Sequence, residues 1–329
     1  MKYLFFNQDC IEGAREHLDD NSVDLIITDP PYGIQGDKLD KHYNRNESFV
    51  IDGYVEVPQE EYAEFSKKWI LEAERVLKPG GALYVVSGYT NLIDILNALR
   101  ATKLKEINHI IWKYNFGVYT KTKYISSHYH ILYYVKGKSK HTFNTFSRFA
   151  GHERHDDGGS ANYKDREDVW VINREYKPGQ IKNKNELPTA LLTKIIQYSS
   201  QEGDVVCDFF LGSFSTAKVA KGLNRQAIGF ELSKNAFDYQ HEEIDKLDVG
   251  YLKNTLRQPP ENIYFNQGKP LQDDEKKSIV DDYADLVSNG HTKKKAIDQL
   301  SEKYGRGYWS LLRVIDGTTN KSVDQQDLF

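Results

Sequence analysis

The stretch Val23-Asp24-Leu25-Ile26-Ile27-Thr28-Asp29-Pro30-Pro31-Tyr32 joins an apolar run to an acid, two prolines and an aromatic. Six residues of this kind, closed by a proline pair, read as a buried strand that stops and passes into a loop. The strand delivers acceptors into that loop: the Asp29 carboxylate and the Pro30 carbonyl, with the flat face of Tyr32 beside them. Proline places no N–H of its own next to that carbonyl. Two acceptors on one planar –NH2 would draw its nitrogen out of conjugation and aim the lone pair at an electrophile. That suits alkylation of an amino group. Double proline is equally a common way to end a strand, so the rest of the chain must supply the context.

Outward from this strand, strand and helix signals alternate. Residues 3–6 read as a strand and 11–18 as a helix, while 33–58 form a long polar loop. Tyr62, Phe65, Trp69, Ala73 and Val76 repeat at three and four, which predicts an amphipathic helix over 59–77. Lys78-Pro79-Gly80-Gly81 is expected to terminate it before a strand at 82–87. A helix at 91–100 and strands at 109–113 and 129–135 follow, the last two as a hairpin. Periodicity then vanishes from 136 to 185, a length of polar chain that reads as functional or as disordered. It returns as helix 189–200, strand 204–210, helix 215–222 and strand 226–230. The expected fold is α/β, a doubly wound and mostly parallel sheet.

Beyond this domain of about residues 1–250 the character changes. Pro259, Pro260, Gly268 and Pro270 punctuate a linker over 251–272, and helices are expected at 273–288, 292–304 and 308–315, followed by a tail at 317–329. Asn289-Gly290 fits a helix C-terminus and Thr292 the next N-cap. Lys293, Lys294 and Lys295 in that helix's first turn permit helix-turn-helix docking on DNA. A small bundle packed on the main domain reads equally well.

The chain has 329 residues, two cysteines (Cys10 and Cys207) and a net charge of −4. It is long enough for one large α/β domain plus an appendage. Two cysteines make no disulfide framework or CxxC metal pattern, and no apolar run is long enough to span a bilayer. The N-terminus lacks a secretory signal, so a cytoplasmic and metal-independent protein is expected. Charge is uneven: about −8 over residues 1–100, about +8 over 101–185 and about −4 over 186–329. The basic middle is a candidate phosphate-binding face. Lys121, Lys123, Arg148 and Arg154 are its candidate contacts, interleaved with Tyr119, Tyr124, His128, Phe143, Phe146, His152 and His155.

Three further acids stand at predicted strand ends. Asp208 precedes the small-residue turn Phe209-Phe210-Leu211-Gly212-Ser213-Phe214-Ser215-Thr216, Glu231 closes Ile228-Gly229-Phe230-Glu231, and Asp9 follows the first strand. An acid at a strand end followed by such a turn exposes backbone donors to a nucleotide-like ligand. Neither GxGxxG nor GxxxxGK[ST] occurs, which disfavours a pyrophosphate or triphosphate cradle.

With these segments the chain resembles the amino-group DNA methyltransferases that use S-adenosylmethionine, in their permuted (β-class) order, over residues 3–247. The motifs that carry the resemblance are Asn7-Gln8-Asp9-Cys10, Asp24 through Tyr32, Val76-Leu77-Lys78-Pro79-Gly80-Gly81, Asp204 through Thr216 and Ile228 through Glu231. It implies a Rossmann-like methyltransferase fold in which the catalytic motif precedes the cofactor motif, with target recognition between them. By the same resemblance Asp29 and the Pro30 carbonyl hold the target amine, Pro31 completes the catalytic motif, and Tyr32 stacks on a base flipped from duplex DNA. Asp208, Phe209, Phe210, Gly212, Ser213 and Ser215 line the methionine side of the cofactor, Glu231 its ribose, and Asp9 with Cys10 its adenine. Trp112 falls near the family's second base-contacting segment, although an ordinary sheet-core aromatic is the simpler reading.

The implied reaction is methyl transfer to adenine N6 in a restriction-modification setting. Cytosine N4 is the alternative, and many N4 enzymes open the motif with Ser instead of Asp. A structured-RNA methylase and a catalytically weak DNA-binding or specificity partner are further readings. Neither cysteine follows a proline, which excludes a cytosine-carbon nucleophile. Phe209 replaces the family's proline and Phe214 its third glycine, so a ring is expected to crowd the cofactor turn. The stretch from Lys182 to Pro188 also departs from the family's Lys-His-Pro-Thr-Gln-Lys-Pro. Partners expected besides DNA are a second copy, as a homodimer, and the bacterial sliding clamp. Gln325-Gln326-Asp327-Leu328-Phe329 resembles the clamp-binding peptide, against the simpler reading of a frayed tail.

Overall fold

The computed structural model describes residues 2–31, 57–115, 117, 119–137, 140–175, 186–257, 265–266 and 269–317. The chain divides into two compact units, Met1–Gln258 and Pro259–Phe329. Among the described residues, the first is organised on one eight-stranded sheet. Its strands are β1 (Tyr3–Phe6), β2 (Val23–Thr28), β3 (Leu77–Ser87), β4 (Leu104–Lys113), β5 (His128–Lys136), β6 (Val169–Val171), β7 (Val205–Asp208) and β8 (Gln226–Phe230), in the spatial order β1-β8-β7-β2-β3-β5-β4-β6. All neighbours from β1 to β3 are parallel; β5 runs antiparallel between β3 and β4, and β6 pairs parallel with β4.

Alternation along β2 sends Leu25 and Ile27 to one face and Ile26 to the other. Both faces are therefore buried, which explains the nearly continuous apolar run. On the Ile26 face lie α1 (Cys10–His17), α2 (Tyr62–Val76) and α3 (Leu92–Arg100). On the other, between the short α4 (Ala161–Asp165) and the end of the unit, pack α5 (Thr189–Ser199), α6 (Ser215–Gly222) and α7 (Lys234–Asp245). This is the doubly wound, mostly parallel fold the sequence predicts.

Two local expectations need correcting. Lys78-Pro79-Gly80-Gly81 is no loop: α2 ends at Val76 and β3 begins at Leu77. The extra residues are absorbed as a bulge, since pairing with β2 jumps from Val23↔Leu77 to Leu25↔Ala82. Gly80 takes φ +84°, and a Cβ on Gly81 would lie 2.9 Å from the carbonyl oxygens of both Asp24 and Lys78. The bulge lets Lys78 Nζ reach both Asp24 oxygens at 2.7 and 2.8 Å, while Asp24 also accepts from Val205 N at 2.9 Å. One carboxylate thus ties three neighbouring strands. The second correction is β6, which lies inside the segment expected to be irregular. Three residues are too few to show a period, and the strand is held by pairing with β4 and by the burial of Trp170.

The second unit holds α8 (Asp273–Ser288), α9 (Lys293–Tyr304) and α10 (Tyr308–Ile315) around Ile279, Ile297, Leu300 and Leu311. Thr292 caps α9 by accepting from Lys295 N, and Gly290 takes φ +85° after α8. Both follow the predicted punctuation. The tail with Gln325–Phe329 lies outside the described residues, as do Tyr32 and the 182–185 part of the degenerate family motif.

Candidate active site

The order β1-β8-β7-β2 sets four parallel strand ends side by side at one sheet edge. Asp9, Glu231, Asp208 and Asp29 follow these ends, so four acids scattered over more than two hundred residues of chain come to one edge. That is where α/β sheets bind ligands.

Asp208 is the most enclosed of them. Its Oδ1 accepts from Thr28 Oγ1 at 2.9 Å and from Phe210 N at 3.0 Å. Burial lifts its carboxyl to about 7, against the lowering effect of bonds from Thr216, Phe210 and Thr28. The Thr28 bond links the last residue of β2, next to Asp29, to the last residue of β7. Glu231 is raised by burial as well. Its oxygens accept from Gly212 N and Ser233 N, both at 2.8 Å, which fastens β8 to the turn after β7. Asp9 caps α1 through Ile11 N and Glu12 N, and Cys10 is buried behind it with its thiol pKa raised by burial. Ser213 and Ser215 share a 2.6 Å hydroxyl contact, and Ser215 also reaches Glu186 Oε1 at 3.1 Å.

The two phenylalanines do not crowd this turn. Phe209 is buried against Trp69 and Phe230 in the core on the α2 face. Phe214 adopts φ +60°, ψ +21°, the conformation the family's glycine would supply, and its ring packs 5.0 Å from Phe5 and 5.9 Å from Phe237. The expected obstruction is thereby removed: the ring is in the core. Gly229 has the tighter constraint. A Cβ there would meet the Asp208 carbonyl oxygen at 2.5 Å and Leu211 Cδ2 at 2.6 Å.

On the β2 side Pro30 is buried, Asp29 and Pro31 are half-buried, and Tyr62 Oη donates to the Pro31 carbonyl at 2.7 Å. This bond braces the turn from α2. Burial raises the Tyr62 phenol, and the Asp29 charge adds to that; the same two influences act on Tyr129, where Arg174 opposes them. Tyr62 and Tyr129 therefore both lie within electrostatic reach of Asp29. Beside Tyr129, the Arg174 guanidinium stands 4.7 Å from the Tyr114 ring centroid, 5.2 Å from that of Tyr129 and 5.9 Å from that of Trp112. Tyr62, Tyr114, Tyr129 and Arg174 were not among the expected site residues, because they come from four separate segments with no shared spacing.

Among the expected DNA contacts, Trp112 requires correction. It is 1 % exposed and its indole N–H is committed to the Ile172 carbonyl at 2.8 Å, so it backs the aromatic wall instead of offering a face to a base. Lys121 and Lys123 are exposed, as are Tyr119 and Tyr124 around them, on the connection from β4 to β5. That connection leaves the sheet at the Asp29 edge, since Thr28 pairs with Val85 and Ser87 with His130. Arg148 is engaged within the domain by Asp165 and Gln197 at 2.8 and 3.0 Å. Arg154 is exposed and holds the carbonyls of Gly151 and Glu153. No helix among the described residues is long and apolar enough to cross a membrane.

Comparison with known proteins agrees with this architecture. Residues 23–242 match the family model described as DNA methylase, of the N6/N4 type. The chain is 32 % identical to the type II methyltransferase M.BamHI of Bacillus amyloliquefaciens over 320 residues, covering 90 % of this chain and 70 % of that one. It is 32 % identical to the type II methyltransferase M.HpaI of Haemophilus parainfluenzae over 249 residues, 72 % and 73 % of the two chains. Its fold is similar to that of M1.HpyAVI, solved as a complex with S-adenosylmethionine (TM-score 0.51, 21 % identity, 74 % of this chain and 100 % of that one). It is also similar to that of the cytosine-N4-specific PvuII DNA methyltransferase (TM-score 0.54, 16 % identity, 79 % and 95 %). The matched family spans both the Asp29 edge and the Asp208 turn, and the chain belongs to the N6/N4 DNA methylases.

Proposed function

We propose that the protein methylates the N6 amine of adenine in duplex DNA, taking the methyl group from S-adenosylmethionine and acting on a base turned out of the helix. The observation that carries this reading is the 2.9 Å bond from Thr28 to Asp208. It joins the strand that presents the amine acceptors to the strand that presents the cofactor turn.

The residues present fit the cofactor. Phe214 leaves the turn clear, Gly229 permits its close approach to β8, and a buried carboxylate ends β7 while a half-buried one follows β8. Glu231 would take the ribose hydroxyls, Asp9 and Cys10 would border the adenine, and Asp208, Phe210, Gly212, Ser213 and Ser215 would flank the methionine portion; Phe209, expected beside them, is instead packed into the core. When bound, S-adenosylmethionine supplies a methyl carbon activated by its sulfonium.

The chain's own contribution is positioning and electrostatics. Asp29 and the Pro30 carbonyl accept the two N–H bonds of the amine, which turns its lone pair away from the ring. Both acceptors strengthen as positive charge develops on nitrogen, so they stabilise the transition state more than the ground state. The proton that must leave nitrogen already points at the Asp29 carboxylate. Tyr62 fixes the turn through the Pro31 carbonyl, and Tyr32 supplies a stacking face. Tyr129, within reach of the Asp29 charge, and Arg174 beside it are further candidates for contact with the base. Lys121 and Lys123 contact phosphate, and Arg154 is a further candidate.

Adenine is favoured over cytosine N4 because the motif opens with Asp29 where many N4 enzymes carry Ser. Incubating the protein with duplex DNA and labelled cofactor, then hydrolysing to nucleosides for mass spectrometry, tests both points. N6-methyladenine is expected; N4-methylcytosine would reassign the base. Asp29→Ala should reduce turnover by at least about 10²-fold, the scale of losing one transition-state acceptor, while calorimetric cofactor binding persists. Retained turnover would overturn the assigned role of Asp29.

A further inference from the structure

The second unit has a geometry that the methylation site does not use. α9 and α10 are joined by only three residues, Gly305-Arg306-Gly307, with Gly305 at φ +58°. The turn is rigid. Arg306 is 4 % exposed, and its guanidinium bonds Glu275 at 2.9 and 2.7 Å and the carbonyls of Asn266 and Pro270 at 3.0 and 3.3 Å. A three-helix core with a short glycine turn before its last helix is the arrangement of a helix-turn-helix.

The face of α10 away from this core carries Trp309, Arg313 and Asp316, spaced four and three apart. Trp309 is 71 % exposed, an unusual position for the largest side chain in a unit this small, and Arg313 is exposed one turn on. Lys293 Nζ bonds Asp316 at 3.2 Å, which places the start of α9 beside the end of α10. Lys293, Lys294 and Lys295 there are all exposed. Two acids of α8 are already matched inside the unit: Glu275 by Arg306, and Asp282 by Lys303 and Tyr304. An aromatic and an arginine on the outer face of the last helix, flanked by lysines at the start of the helix before it, complement a groove bordered by phosphates.

We propose that α9 and α10 form a helix-turn-helix that docks on duplex DNA, with α10 in the major groove and Lys294 and Lys295 on phosphates. This rests on the reading that DNA is the substrate, and it assigns the second unit an anchoring function separate from the base that is methylated.

The test uses the full chain and a labelled duplex, with Kd measured over a range of salt. Lys294→Gln with Lys295→Gln should weaken binding and reduce the slope of log Kd against log salt by about 1 to 2, one for each phosphate contact removed. Trp309→Ala should weaken binding several-fold with the salt slope unchanged. Turnover at saturating DNA and calorimetric cofactor binding should match the unsubstituted protein in both variants. Unchanged Kd and slope in variants whose circular dichroism shows folded helices would overturn the proposal. So would a Trp309→Ala variant that keeps its DNA affinity but loses self-association in sedimentation, since the face would then join two copies. An unsubstituted protein that binds the duplex in this way without methylating it would overturn the catalytic reading and leave the anchor standing.

Discussion

Phe214 reconciles two demands on one residue. Its left-handed backbone costs a residue with a Cβ about 1–2 kcal/mol, and its fully buried ring recovers a similar amount through transfer from water. The turn after β7 thus keeps a glycine-like path while the side chain is exported to the core. Phe214→Ala is expected to lose about 3–5 kcal/mol in urea unfolding. Phe214→Gly, which also loses the ring but relieves the backbone, should be about 1 kcal/mol more stable than the Ala variant. A Gly variant no better than Ala would show that no strain is stored there. Asp208 predicts a pH dependence. An unfolded aspartate titrates near about 4, whereas burial lifts Asp208 to about 7. Between those values the folded state holds a proton the unfolded state has released, so this group's contribution to stability falls as pH rises and levels off above about 7. Asp208→Asn keeps an acceptor for Thr28 and Phe210 but cannot titrate. Its stability relative to the unsubstituted protein should therefore climb through that window, and a constant difference in urea titrations would contradict the lifted pKa.

At the scale of elements, the site depends on how closely the ends of β7 and β8 approach. Asp208 pairs with Gly229 in the parallel register, and the Leu211 N–H reaches the Phe230 carbonyl at 2.9 Å to fold the turn back over β8. Gly229→Ala would drive a methyl group into the Asp208 carbonyl and the Leu211 side chain. Overpacking of this kind costs about 1–3 kcal/mol. Because the displaced atoms belong to the turn proposed to hold the cofactor, calorimetric affinity for S-adenosylmethionine should drop at least ten-fold; unchanged affinity would mean that the turn adapts without reshaping the site. The same scale shows why some elements were legible and others were not. β2 and α2 carry long apolar patterns and were readable from sequence. Lys78-Pro79-Gly80-Gly81 carries every local mark of a loop and is nevertheless strand, because Asp24 on the neighbouring strand captures Lys78 and the glycines absorb the excess length. β6 is visible only through its partner β4.

At the scale of the whole molecule, each unit has its own core. The larger unit buries two extensive clusters, one on each face of the sheet, whereas the smaller rests on Ile279, Ile297, Leu300 and Leu311. A small core leaves little margin over chain entropy. Scanning calorimetry of the full chain is expected to show two transitions, the lower from the C-terminal unit and the upper raised by S-adenosylmethionine alone. One cooperative peak shifted as a whole by the ligand would show that the units melt together. Local periodicity and short motifs were enough for the strand that runs into Asp29-Pro30-Pro31, the acids at three other strand ends, the three helices of the smaller unit and the family, whereas α4 and α7 of the larger unit were not foreseen. Only the tertiary structure decided that Thr28 and Asp208, 180 residues apart, share a hydrogen bond. It also decided that the Phe214 ring leaves the turn after β7, that Trp112 is buried, and that Tyr62 and Tyr129 both feel the Asp29 charge, with Arg174 beside Tyr129. Strand order is set by pairing between distant segments and side-chain direction by the partners that packing supplies, and neither has a signature in the order of residues along the chain.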